Sequence, residues 1–232
     1  MTQKKFSIII PTLNETQSIV NCLSALQTYR VYAEIIVVDG GSTDNTDKQA
    51  LSLADKVMTS DRGRAIQMNA GANVATGDVL IFLHADTFLP KNALNRIATN
   101  IDDREQWGRF DIELKGRHPM LKVVASFMNW RSRLTGIATG DQAIFVNKAL
   151  FDSIGGYPEI GLMEDIALSK LLKGISSPVC LKDKVLSSGR RWEQFGVYKT
   201  ILLMWSLRLR YFFGTNPAIL SVLYREGKWW KT

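Results

Sequence analysis

Short apolar runs, each closed by a polar or glycine-rich cluster, recur through the N-terminal half of this chain and leave few folds open to it. Phe6–Ile10 stops at Pro11, Glu34–Val38 at Asp39-Gly40-Gly41, and Asp78–Leu83 at His84-Ala85-Asp86. Runs this short, with little polar alternation, read as strands buried on both faces. Between them lie segments of helical pattern. Glu15–Thr28 places Ile19, Cys22, Leu23 and Leu26 on one side, and Asp44–Leu53, Gly63–Ala75 and Lys91–Ile101 follow. Lys56–Thr59 adds a short strand. Strand and helix in alternation predict an α/β fold, a mostly parallel sheet with helices on both faces. The polar clusters then gather at the C-terminal ends of the strands, the edge where open α/β sheets bind ligands.

The second half is less regular. Trp107–Lys115 and Ala143–Val146 read as strands, and Met120–Leu134, Glu164–Leu172 and Tyr198–Phe213 as helices, the last amphipathic. No linker, repeat or low-complexity tract divides the chain, so a single domain over 1–232 is expected. Its parts are an alternating strand–helix half at 1–100, a less regular half at 101–190, and basic, aromatic C-terminal helices at 191–232.

The apolar share of 46% and charged share of 22% exclude a disordered chain. Two cysteines, Cys22 and Cys180, make no disulfide framework and suit a reducing compartment. The N-terminus lacks the pattern of a signal peptide. No stretch reaches the roughly 18 uncharged apolar residues of a membrane span. Charge is uneven: from Ser187 onward eight Lys and Arg face two acids, which gives +6 of the chain's +7. The same segment holds ten of the 22 aromatics. Basic and aromatic residues together suit anionic lipid headgroups, phosphorylated ligands or nucleic acid; a helix pair with a solvated charged face accounts for them equally.

The first strand is not followed by G-x-G-x-x-G, and neither G-x-x-x-x-G-K-[ST] nor G-x-S-x-G occurs. Dinucleotide oxidoreductases, P-loop enzymes and α/β-hydrolases therefore lose their signatures. What remains is carboxylates and glycines in order: Ile8-Ile9-Ile10-Pro11-Thr12-Leu13-Asn14-Glu15, Ile36-Val37-Val38-Asp39-Gly40-Gly41-Ser42-Thr43-Asp44, Gly63-Arg64-Ala65 to Asn69-Ala70-Gly71, and Leu83-His84-Ala85-Asp86. In order and spacing these resemble the GT-A, Rossmann-like nucleotide-binding half of the inverting family 2 glycosyltransferases, in a short form without transmembrane helices.

The resemblance implies roles. Pro11, Thr12, Leu13 and Glu15 would surround the nucleoside, although Glu15 also suits the start of a helix. Asp39 would bond the base or ribose, with Gly40, Gly41 and Ser42 beside it; a turn and helix cap explain the same residues. Arg62, Gly63 and Arg64 precede a helix, where phosphate or plain solvent fits them, and Asn69 follows on that helix. His84, Ala85 and Asp86 stand where the family has an Asp-x-Asp motif, with His84 in place of the first Asp. Asp86 would hold Mg²⁺ or Mn²⁺ against the donor diphosphate. Asp141 would reach the transferred sugar, or make a turn. Asp165 would be the catalytic base and Glu164 its support; a capped helix start is the alternative. Ser188-Gly189-Arg190-Arg191-Trp192 is similar to the Q-x-x-R-W of processive relatives, so Arg191 would reach the diphosphate and Trp192 stack on sugar.

The expected function is metal-dependent, inverting transfer of a sugar from a UDP- or GDP-sugar to an acceptor hydroxyl. A nucleotidyltransferase would need a basic, Gly-rich loop after the first strand, which Pro11–Glu15 does not supply. A basic nucleic-acid module would leave the acidic clusters unexplained. Trp205, Tyr211, Phe212 and Phe213 beside Arg208 and Arg210 suit an interfacial helix. Peripheral attachment to the cytoplasmic face of a membrane, with a lipid or small hydroxylated acceptor, is thus expected.

Overall fold

A computed structural model describes residues 5–101 and 106–227 of the chain. The two lysines and two tryptophans at 228–231 that contribute to the basic, aromatic C-terminal expectation lie outside the described residues. One eight-stranded sheet, in the order β3-β2-β1-β4-β7-β6-β8-β5, organises the molecule. Strands β1 (Phe6–Thr12), β2 (Ala33–Asp39), β3 (Lys56–Thr59) and β4 (Val79–Phe82) lie in parallel, as their unbroken apolar runs require. Helices α1 (Ile19–Leu26), α2 (Thr46–Ala50) and α3 (Arg64–Val74) link them, and α4 (Ala93–Asn100) follows. The two sheet faces carry separate cores. Ile8 and Ile10 pack with Cys22 and Leu23 of α1, whereas Ile9 and Val38 pack with Met68 and Ala72 of α3.

Beyond β4 the sheet, parallel for the most part as expected, departs from the all-parallel arrangement of its first four strands. β7 (Phe145–Asn147) runs antiparallel to both β4 and β6 (Trp107–Lys115), and β8 (Val179–Ser188) runs parallel to β6. A two-residue strand, β5 (Thr87–Phe88), pairs antiparallel with the end of β8. Both departures serve the site. Because β7 enters the sheet where β4 leaves it, the turn before β7 stands beside His84–Asp86. Because Thr87 pairs with Ser187, the chain after β8 emerges at the same place. The sequence pattern misses β8, since the Lys182-Asp183-Lys184 run hides its alternation.

The C-terminal helices form a roof. α5 (Met120–Thr135) packs on β6, α7 (Glu164–Lys173) follows α6 (Lys148–Ser153), and α8 (Arg190–Phe195), α9 (Val197–Phe212) and α10 (Pro217–Glu226) close over the strand ends. Leu203, Leu207, Leu220 and Leu223 bury the roof against Leu162, Met163 and Ile166. α1 and α2 are shorter than the sequence suggests, because the segments 15–18 and 44–45 are spent on turns rather than helix.

Candidate active site

Asp39 ends β2 and is almost fully buried. Its Oδ1 accepts from Thr12 Oγ1 at 3.1 Å and from Ser42 Oγ, and its Oδ2 from Gly41 N at 2.9 Å and Ser42 N at 2.7 Å. The carboxylate therefore holds the loop 40–42 against the end of β1. Gln67, from α3, does the same for the strands: its Nε2 donates to Thr12 O and Val38 O, both at 2.8 Å. Sequence reasoning misses Gln67, because a buried amide on a helix has no local signature. Asn69 is turned away from this edge, bonding Tyr157 O at 2.9 Å and accepting from Tyr157 N at 2.8 Å.

The strand ends open into a polar cavity of about 630 Å³ lined by Thr12, Glu15, Arg62, Arg64, Asp86 and Arg190, among others. Pro11, Leu13, Gly63, His84, Ala85, Asp141, Glu164, Arg191 and Trp192 also border it, whereas Asp39, Gly40, Gly41 and Ser42 do not line it. Asp86 accepts no side-chain hydrogen bond among the described residues. Burial raises its proton affinity; Asp141 and Glu15 add to this, against His84 and Arg190. A carboxylate so placed is relieved by a cation. No cluster of three or more His, Cys, Asp or Glu side chains suited to a metal occurs among the described residues. Asp86 thus fits a hard cation that takes its other oxygens from a diphosphate and water.

The basic residues that border the cavity differ in what they hold. The Arg191 guanidinium lies 3.6 Å from the centre of the Tyr224 ring and donates to Tyr224 O, pinning α10. Arg190 instead reaches Glu15 at 3.3 Å and faces Asp86. The β5–β8 pairing fixes where the chain turns into α8, and so where both arginines start. Arg64 bonds Glu164 Oε1 at 3.1 Å, so it ties α3 to α7 while its flank lines the cavity.

His84 and Asp141 meet at 3.2 Å, Nδ1 to Oδ1. The His84 ring lies so close to Gly140 that a Cβ there would stand 2.6 Å from Nε2. Burial alone would raise Asp141, but the His84 hydrogen bond and the charges of His84, Arg64 and Arg208 hold it below the usual carboxylate range. Asp165 lies next to this pair. It accepts from Gly140 N at 3.0 Å and Ile166 N at 2.7 Å. Burial and the adjacent Glu164 raise its proton affinity, outweighing those two bonds and Arg208. Both acids follow Met163, which caps α7 in a left-handed conformation, φ 71°. That geometry is costly for a bulky side chain.

Asp165 does not line the polar cavity. It borders a second, mostly apolar one of about 290 Å³ with Met128, Phe127, Trp205, Arg131 and Arg208. The two cavities meet over His84, Asp141, Arg64, Glu164 and Trp192.

Residues 7–147 match the model of glycosyl transferase family 2. The chain belongs to that family. A PGL/p-HBAD biosynthesis glycosyltransferase of Mycobacterium bovis is 34% identical over 167 residues, 68% of this chain and 64% of the relative. An undecaprenyl-phosphate 4-deoxy-4-formamido-L-arabinose transferase of Proteus mirabilis is 31% identical over 43% of this chain and 34% of its own length. The chain therefore spans less than two thirds of the curated relatives it matches. Among solved structures, the mannosyltransferase PcManGT of Pyrobaculum calidifontis, in complex with GDP-Man and Mn²⁺, superposes with a TM-score of 0.67 at 20% identity. It covers 98% of this chain and 70% of that one. TarS of S. aureus in complex with UDP gives 0.62 at 20% identity, over 79% of this chain and 60% of that one. These likenesses confirm the GT-A fold expected from the strand-end clusters.

Proposed function

We propose that this family 2 chain transfers a sugar, with inversion, from a UDP- or GDP-sugar in the polar cavity to an acceptor hydroxyl in the apolar one. The observation that carries the reading is the meeting of the two cavities, with Asp165 on the acceptor side and Asp86 and the arginines on the donor side. The acceptor oxygen attacks the anomeric carbon as the bond from that carbon to the diphosphate oxygen breaks. The electron pair leaves on the diphosphate, and the hydroxyl proton passes to Asp165. A carboxylate with raised proton affinity is a competent base. Gly140 N and Ile166 N each occupy one of its oxygens and fix its orientation. Glu164, itself held by Arg64, supports the raised affinity through its charge.

On the donor side, Arg62, Arg64 and Arg190 present guanidiniums to phosphate oxygens. Asp86 is the residue that would hold Mg²⁺ or Mn²⁺, which would neutralise the leaving diphosphate. The Asp39 loop and Gln67 set the floor under the nucleoside. Residues that hold a loop in place still decide affinity, so Asp39 acts by positioning Ser42 and Thr12. The donor-side part of this reading is in keeping with a neighbour in complex with GDP-Man and Mn²⁺ and another in complex with UDP.

Thermal unfolding with UDP and GDP, each with and without Mn²⁺, tests the reading in wild type and Asp86→Ala. A ligand at about a hundred times its Kd adds roughly 2.7 kcal/mol, which raises the melting temperature by several degrees. A Mn²⁺-dependent rise lost in Asp86→Ala is expected. Equal unfolding temperatures with and without either nucleotide would overturn the donor site.

A further inference from the structure

The apolar cavity carries a feature that sugar transfer alone does not explain. Arg131, near the end of α5, and Arg208, on α9, both border it. Neither guanidinium makes a hydrogen bond or ion pair among the described residues. Three of their nitrogens are buried without a partner: Nε and Nη2 of Arg131, and Nε of Arg208. A guanidinium is always charged and carries five donors, so burying it unpaired is costly. Two together are costlier. Burial and the charge of Arg208 pull the Arg131 guanidinium down to about 10. Asp165 acts on both at longer range, and Asp141 on Arg208, without making an ion pair with either. The donor diphosphate does not account for the pair, since the polar cavity has Arg62, Arg64 and Arg190 of its own and neither Arg131 nor Arg208 borders it.

Away from Asp165, Thr139 and the residues shared with the polar cavity, the wall is mostly apolar. Met120, Val124, Met128, Ile201 and Met204 line it, and Phe127 and Trp205 stand at the mouth, half exposed with ring centres 6.3 Å apart. Two residues before Arg131, the Asn129 side chain accepts from Ile112 N at 2.8 Å and donates to Ile112 O at 2.9 Å, clipping α5 to β6. Arg109 donates to Asn129 O at 3.2 Å. Arg131, on a helix clipped to the sheet, and Arg208, on α9, thus share this mostly apolar cavity with Asp165.

We propose that the cavity takes an amphiphilic acceptor: an alkyl or aryl body against the Phe127–Trp205 wall, and a phosphate-class anion gripped by Arg131 and Arg208. Two forked cations match the charge and oxygens of a phosphate monoester. The anion and the apolar body together hold the acceptor hydroxyl at Asp165. The assignment rests on the acceptor reading of this cavity given above and narrows it to anionic amphiphiles.

Titration with octyl phosphate below its micelle concentration tests the proposal, read by the fluorescence of Trp192 and Trp205 and by unfolding temperature. Octanol and inorganic phosphate are titrated alongside. Octyl phosphate is expected to bind at least about tenfold tighter than either, as charge-assisted bonds added to apolar contact require. Arg131→Gln and Arg208→Gln are each expected to remove that advantage while octanol binding stays unchanged. Octanol binding as tightly as octyl phosphate, or either variant keeping full affinity, would overturn the anion site. Inorganic phosphate binding as tightly as octyl phosphate would overturn the apolar wall's part. The wild-type comparison stands even if a variant fails to fold. UDP or GDP binding, followed in the same samples, reports the donor cavity separately: its absence beside tight octyl phosphate binding would count against glycosyl transfer and leave the anion site standing.

Discussion

At Asp165 the backbone donors and the charge of Glu164 pull in opposite directions, and burial decides the sum in favour of the proton. The base form is therefore lost as pH falls through a value above the ordinary 3.8 of an aspartate. kcat/KM is expected to fall on the acid side along a limb that reports this raised value. Asp165→Asn should lower turnover at least about a hundredfold and abolish that limb. Nucleotide binding in the neighbouring cavity should persist. Unchanged turnover in the variant would remove Asp165 as the base. Glu34 shows the opposite shift far from the site. Partial burial pushes it up, but hydrogen bonds from Ser7, Thr76 and Lys56 bring it from 4.5 down to about 2. Its charged form thus stabilises the fold above the ordinary value. That contribution drains away as pH drops from about 4.5 towards about 2. Glu34→Gln should cost about 1–3 kcal/mol near neutral pH, and the loss should vanish in acid, as denaturant midpoints would show.

Among the elements, α3 carries the closest packing to the sheet. A Cβ at Gly71 would stand 2.5 Å from Ile9 Cγ2 and 3.1 Å from Val38 Cγ2. Gly71 is what lets the helix approach β1 and β2 closely enough for Gln67 to reach Thr12 O and Val38 O. Gly71→Ala should destabilise by about 1–3 kcal/mol through overpacking. It should also weaken nucleotide binding by displacing Gln67. Urea unfolding and nucleotide titration of one sample check both; a neutral substitution would mean that α3 can slide without cost. The roof has a comparable pin. Arg191 stacks on Tyr224 and holds α10 over both cavities while it borders the polar one.

Across the whole molecule, exposed apolar side chains concentrate on one side of α5 and α9. Trp130, Leu134, Trp205, Leu209, Phe212 and Phe213 are each more than half exposed. No helix among the described residues is long and apolar enough to cross a membrane. With the net +7 weighted towards the C-terminal segment, we propose that this face attaches peripherally to an anionic surface. Flotation with anionic vesicles is expected at low salt and should fall steeply as salt screens the charge. Vesicles lacking anionic lipid should bind far less. Salt-independent flotation would assign the binding to the aromatics alone. The mouth of the apolar cavity lies on this same face, so an amphiphilic acceptor would enter without leaving the surface.

The amino-acid sequence alone determines the parallel half of the sheet, because continuous apolar runs can be satisfied only by burial on both faces. It also marks the strand ends as the ligand edge, since glycines and carboxylates directly after such runs have little else to do in a core. For Glu164 and Asp165 the pattern shows only a place at the head of a helix, which α7 has, and their proposed roles come from the family resemblance. What only the tertiary structure decided are the relations that cross the sheet. The antiparallel entry of β7 brings Asp141 to His84, and the β5–β8 pairing delivers Arg190 rather than Arg191 to Asp86. Gln67 and Asn129 clip helices to strands, and Arg131 and Arg208, 77 positions apart in the chain, meet in one apolar cavity. Each depends on which side chains face each other across elements distant in sequence. Local periodicity carries no information about that; packing does.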